Sequence, residues 1–247
     1  MMMMYEGGSG EFIVDREGFL VPNNPQADLG IQPIESRLRH NILRMPSEIQ
    51  KASGIVVYGR CIRSLLFSTD IALIKNCDAD AVFCVYPFTA QRAVHAAIIH
   101  AASMPVFCGV GGGTTQGIRA AYLAMDAENQ GAVGVVLNDP IPNEDLRRVS
   151  SVLDIPIVVT VANAATDIGQ RIESGAAILN IAAGAKTPEL VAKIRSEFPT
   201  VPIMATGGRT GESIARTVEA GANAIVYSPP SSAELFRGLM DKYRTGR

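Results

Sequence analysis

The sequence predicts a single (βα)8 TIM barrel with an N-terminal extension of hairpin and helix. Three observations carry that prediction. Eight short, almost continuously apolar runs follow one another from residue 53 onward, as parallel strands buried on both faces should. Helical patterns fill the intervals, so successive runs are spaced at about the length of one βα unit. The chain length, 247 residues, is typical of one such barrel. A doubly wound open sheet is the alternative that the same alternation permits.

Residues 1–52 lie outside the repeat and form the expected extension; residues 53–247 form the expected barrel. The segment 12–21 reads as a hairpin turning at Arg16-Glu17-Gly18. Its apolar pairs need cover, either from the barrel floor or from another subunit. Residues 34–51 predict a helix carrying Arg37, Arg39 and Arg44, broken at Met45-Pro46-Ser47 where a second helix would begin. A solvated face accounts for the basic residues.

The eight runs are 55–59, 81–86, 106–110, 133–137, 157–161, 177–181, 203–205 and 224–227. The third, fifth and seventh follow Pro105, Pro156 and Pro202. Proline is tolerated at the first position of a strand. The others in the repeat, from the second on, follow helix-stop residues: Asp80, Gly131, Gly175 and Gly221. Amphipathic helices are expected over 90–102, 117–129, 144–153, 188–198 and 233–243, with another after Gly207-Gly208, where Ile214 and Val218 lie one turn apart. Thr187 before Pro188 reads as an N-cap, and Ser231 or Ser232 can cap the last helix.

Apolar residues make up 47% of the chain, charged residues 19%, and the net charge is -2. A nucleic-acid or anionic-membrane partner would want a basic surface. No apolar run approaches a membrane span, and no basic stretch precedes an apolar segment as in a secretory signal. A cytoplasmic location is expected. The cysteines Cys61, Cys77, Cys84 and Cys108 lack CxxC spacing and read as reduced, buried thiols. His95 and His100 share a predicted helix and read as surface or packing residues, so no metal is expected.

A barrel holds its ligand at the C-terminal ends of its strands. The residues following the runs are therefore the candidates. They are Arg60 after the first, Gly112 and Gly113 in the glycine-rich loop after the third, and Asn138 and Asp139 after the fourth. Thr160 ends the fifth. Asn180 lies in the sixth with Lys186 in the loop beyond, Gly207, Gly208 and Arg209 follow the seventh, and Ser228 follows the eighth. Glycines, amides and hydroxyls dominate this set and carboxylates are scarce. An anion held by hydrogen bonds suits it better than a magnesium or manganese centre does.

Consecutive glycines before a helix offer bare N–H groups and a positive dipole end to an anion. Gly207-Gly208 fits that description, and so does 111–113. Arg60 can clamp a carboxylate or phosphate, and Arg209 can neutralise it. Asp139 is the one carboxylate directly at a run's end, a general acid–base candidate or a helix cap. Lys186 tests a Schiff-base mechanism, although it lies in a loop rather than within a strand.

The residues Ile203-Met-Ala-Thr-Gly-Gly208 and Gly221-Ala-Asn-Ala-Ile-Val226 resemble the last two βα units of the phosphate-binding (βα)8 enzymes. That resemblance implies phosphate oxygens at the backbone of Gly207 and Gly208 and at the turn after the eighth strand. The chain departs from it at Tyr227-Ser-Pro-Pro-Ser-Ser232. Two prolines there lack N–H donors, leaving Ser228, Ser231 and Ser232 to replace them.

Three functions follow as expectations. The first is a lyase or isomerase acting on a small anionic, phosphorylated metabolite without a cofactor, with Asp139 moving a proton. The second is an oxidoreductase holding FMN phosphate in the same cup. The third is a non-catalytic ligand-binding or assembly protein. The partners expected are a small anionic or phosphorylated ligand and further copies of the chain in a homo-oligomer, with no nucleic acid and no membrane.

Overall fold

The computed structural model describes residues 12–14, 20–22 and 42–245. Residues 1–40 and 41–247 are two compact units. In the first, β1 (Phe12–Val14) pairs antiparallel with β2 (Leu20–Pro22), with Ile13 opposite Val21. This is the expected hairpin; its turn and the first part of the helix expected over 34–51 lie outside the described residues.

The second unit holds the closed parallel barrel. Its strands are β5 (Ser64–Phe67), β6 (Ala81–Cys84), β7 (Val106–Gly111) and β8 (Gly134–Leu137), then β9 (Ile157–Val161), β10 (Ile178–Ile181), β11 (Ile203–Ala205) and β12 (Ala224–Tyr227). β12 pairs with β5, Ile225 opposite Ser64 and Tyr227 opposite Leu66, and so closes the ring. The helices alternate with them: α1 (Ile71–Lys75), α2 (Arg92–Ala101), α3 (Ile118–Asn129), α4 (Asn143–Ser150), α5 (Ile168–Glu173), α6 (Thr187–Glu197), α7 (Gly211–Glu219) and α8 (Ser232–Thr245).

Strand alternation splits the core in two. Leu65, Phe83, Phe107, Val136, Val158, Ile178, Met204 and Val226 fill the barrel interior. Leu66, Cys84, Cys108, Leu137, Val159, Leu179 and Ile225 face the helices. Residues with one-position spacing thus serve opposite faces, as the two-residue period of a strand requires.

The first barrel strand is not the run at 55–59. That run forms β3 (Ile55–Val57), which pairs antiparallel with β4 (Arg60–Ile62). Tyr58 and Gly59 between them have φ of 48° and 77°. Left-handed values at both central residues make a two-residue hairpin turn, and an apolar run that turns back on itself cannot join a parallel sheet. Ile55, Val57 and Ile62 instead cap the interior core. Gly54 N–H donates to Asn223 O just before β12, and Asp80, just before β6, accepts the N–H groups of Arg63 and Ser64 at the start of β5. The β3–β4 hairpin therefore closes the N-terminal end of the barrel.

Residues 47–51 form a 3₁₀ helix, Ser47–Lys51, where an α-helix was expected. Met45 and Ile49 are buried in the same outer core as Ile214 of α7, so this segment packs with the barrel. Cys84 and Cys108 are buried as expected, while Cys61, on the hairpin, is exposed.

Candidate functional site

The rim at the C-terminal ends of the strands is built by local capping. Asp70 caps α1, its carboxylate accepting from Ala72 N–H and Leu73 N–H. Thr210 caps α7 through Ser213 N–H. Ser231 and Glu234 form a reciprocal box at α8: Glu234 accepts from the Ser231 N–H and hydroxyl, and Ser231 Oγ accepts from Glu234 N–H. Ser231 therefore caps the last helix. Thr187 acts differently from the cap expected of it: it begins α6, and its hydroxyl accepts from Ala183 N–H.

At the end of β11, Gly207 is buried and Gly208 has φ of 84°. A side chain on Gly208 would press on the Ser213 hydroxyl. The N–H groups of Gly207, Gly208 and Arg209 carry no hydrogen bond among the described residues. They lead straight into the N-terminus of α7. Negative charge also lies close: a side chain on Gly211 would collide with the Glu48 carboxylate. Glu234 is held below the ordinary carboxylate range by the Ser231 hydroxyl and amide, with Arg209 and Arg237 nearby.

The serines after β12 are mostly committed. Ser231 serves Glu234, and Ser232 donates to the Asp70 carboxylate. That hydrogen bond is the main reason the Asp70 carboxyl is held low. Ser228, half-buried, is the remaining one of the three.

The glycine-rich loop after β7 differs from the nest expected there. Gly112 N–H donates to Thr115 O at 2.8 Å and Gly113 N–H to Pro140 O at 3.0 Å. A side chain on Gly112 would collide with Asn138 O. These glycines let the loop close down on the exit of β8, and neither amide is left for a ligand.

Asp139 follows β8 and faces Arg171 of α5 at 3.9 Å. It does not cap a helix, since α4 begins at Asn143 with Pro142 before it. Arg171 also donates to Ile141 O and Asn143 Oδ1, at 2.6 and 2.8 Å, and so pins this loop. With Ile141, Pro142, Asn143, Thr166 and Asp167 it lines an open groove of about 270 Å³.

Thr160 and Asn180 stand on β9 and β10, Asn138 directly follows β8, and the three are joined in a line. Thr160 Oγ donates to Asn138 Oδ1 at 3.1 Å, and Asn180 Nδ2 donates to Thr160 Oγ at 3.2 Å. Thr160, at the end of the fifth run, is the member that joins the two amides. Its signal was legible: it is a polar residue breaking an apolar run at the parity of Asn180, opposite it in register.

Two candidates stand apart. Arg60 lies on β4, exposed, at the N-terminal end of the barrel. It cannot meet a ligand at the C-terminal rim, because the run before it is a hairpin arm and not a barrel strand. Lys186 ends the 3₁₀ turn Gly184–Lys186 and is exposed.

No protein-family model and no curated protein matches the chain. Solved structures match its fold. Phosphoenolpyruvate phosphomutase from Streptomyces platensis subsp. rosaceus is 12% identical, with a TM-score of 0.57 over 74% of this chain and 81% of that one. Phosphonopyruvate hydrolase, solved in complex with oxalate and Mg++, is 13% identical, with a TM-score of 0.56 over 74% and 82%. A 2,3-dimethylmalate lyase of the PEP mutase/isocitrate lyase superfamily is 12% identical, with a TM-score of 0.58 over 80% and 82%. At these identities the likeness is one of fold.

Proposed function

We propose that the chain is a barrel enzyme of the lyase or isomerase class acting on a small anionic, phosphorylated metabolite at the C-terminal mouth. The observation that carries this reading is the turn after β11. Gly207, Gly208 and Arg209 present amides with no partner among the described residues, at a helix N-terminus and beside a guanidinium. Such a place favours an anion by both hydrogen bonding and dipole. Solved barrels of the same fold carry names of enzymes that act on phosphoenolpyruvate, phosphonopyruvate and dimethylmalate, all small anions.

Arg209 neutralises the ligand in this reading and Ser228 adds a donor. Asp139, paired with Arg171, moves a proton in this reading. The residues present do not fit a magnesium centre. Among the described residues no three His, Cys, Asp or Glu side chains gather where they could hold a metal ion. Asn138, Thr160 and Asn180 offer only neutral amides and a hydroxyl, and the Asp139 carboxylate faces Arg171, whereas magnesium is held through one or two carboxylates.

Thermal denaturation with phosphorylated metabolites, small carboxylates and inorganic phosphate tests the reading. A ligand at about 100 times its Kd should stabilise the protein by about 2.7 kcal/mol, a clear rise in Tm. No rise with any of these anions would contradict it.

A further inference from the structure

The line from Asn138 to Asn180 ends inside the barrel on an unmatched group. Val136, Val158 and Ile178 belong to the interior core, and the residues between belong to the outer one. Asn138, Thr160 and Asn180, two positions after each, therefore point inward, one layer nearer the mouth. Asn138 is half-buried, Thr160 is 8% exposed and Asn180 is 3% exposed. The buried Asn180 Oδ1 has no hydrogen-bond partner among the described residues. Beside Asn180 in register, on β11, is the fully buried Met204, which offers no donor.

Thr160 has one hydroxyl proton to share along this line. As arranged, Asn180 donates to Thr160, Thr160 donates to Asn138, and Asn180 Oδ1 lacks a donor. If both amides turned over, Asn138 would donate to Thr160 and Thr160 to Asn180. Asn180 Nδ2 would then lack an acceptor. In either polarity one hydrogen bond is missing at the same buried place. Buried polar groups are nearly always paired, and one that is not calls for a partner from outside the chain. A hydroxyl, donor and acceptor at once, completes the line in both polarities. A charged group does not suit this place, since all three members are neutral and the layer below them is apolar.

We infer that Asn138, Thr160 and Asn180 form a subsite that seats a hydroxyl of the bound ligand, with Asn180 reading it. This rests on the anion reading above and deepens it: the ligand is a hydroxylated small anion, its charge toward Gly207–Arg209 and its hydroxyl toward β10. A site shaped to hydrogen-bond a hydroxyl discriminates against the analogue that lacks it, because its own buried group is then left unpaired.

The test is calorimetric titration with matched pairs of anions, one hydroxylated and one not: glycerol 3-phosphate against propyl phosphate, and lactate against propionate. The hydroxylated member of at least one pair should bind about 10-fold more tightly or better. Asn180→Leu should bring it down to the affinity of its partner, and Thr160→Val, which leaves Asn180 in place, should lower the preference. Equal binding of both members by the wild type would overturn the hydroxyl subsite and leave the anion reading standing. A preference undiminished in Thr160→Val and in Asn180→Leu would also overturn it. If no member of either pair binds and no other anion raises the Tm, the anion reading falls and the subsite with it.

Discussion

Tyr58 shows at the scale of one residue why the first barrel strand was misplaced. Its φ of 48° is the left-handed value that a two-residue hairpin turn demands. A bulky aromatic is an unusual choice there, since the left-handed region costs a non-glycine residue about 1–2 kcal/mol. Asparagine tolerates it better. Tyr58 is 67% exposed, so little packing is lost with it. Tyr58→Asn should therefore stabilise the protein by about 0.5–1 kcal/mol, read from urea denaturation. A destabilised variant would show that the ring carries packing of its own. Read as a run of apolar residues, 55–59 looks like a strand. The turn is written in backbone angles that Tyr-Gly does not advertise. Arg60 followed that run to the wrong end of the barrel. Asp139, by contrast, stands at a strand end as expected, and its partner Arg171 comes from α5, 32 positions later. Once a reaction is in hand, Asp139→Asn should lower kcat by about 100-fold or more. Unchanged turnover would remove this carboxylate from the chemistry.

At the scale of elements, helix ends were largely legible and loop interiors were not. Ser231 caps α8 through the pattern visible in the chain, Ser-x-x-Glu. The glycines at 111–113 suit either an anion nest or a tight turn in the sequence, and the amides of Gly112 and Gly113 are engaged by Thr115 and Pro140. Gly-Gly-Gly says only that the backbone comes close to something; here that neighbour is the end of β8. The α2 helix carries a different consequence. His95 is fully buried against the barrel wall, its ring edge-on to Tyr86 at 6.2 Å. Burial pushes its imidazole below the ordinary 6.5, against a smaller opposite pull from the Gly109 carbonyl. A depressed value means that the unfolded chain takes up this proton first as pH falls below 6.5. Stability present above that pH is then lost as pH falls toward the folded value. The Tm should decline between about pH 6.5 and pH 5, above the range where carboxylates titrate, and His95→Leu should decline less. Identical slopes would place the acid sensitivity elsewhere.

At the scale of the whole molecule, the closed ring was legible because successive βα units repeat the same pattern of apolar run, glycine or polar turn and amphipathic helix, whereas its first strand, Ser64–Phe67, was not among the eight runs. Seven of the eight runs are the barrel strands themselves. The line of Asn138, Thr160 and Asn180 was legible only in parts. Each residue lies at a strand end in the sequence, but register between neighbouring strands, a property of the ring, joins them. The two ends of the barrel are chemically distinct. The N-terminal end is stoppered by the β3–β4 hairpin with Ile55, Val57 and Ile62, while the C-terminal end carries open amides after β11 and the neutral polar line. The proposed anion site therefore lies at the C-terminal end, where it can be tested amide by amide. The direct measurement is a titration of the isotope-labelled protein with inorganic phosphate, followed by backbone amide resonances. The amides of Gly207, Gly208 and Arg209 should shift and saturate together while those of Val57, Tyr58 and Arg60 stay still. Resonances at Gly207–Arg209 that do not move, or saturable shifts confined to the hairpin end, would contradict an anion site at the C-terminal mouth.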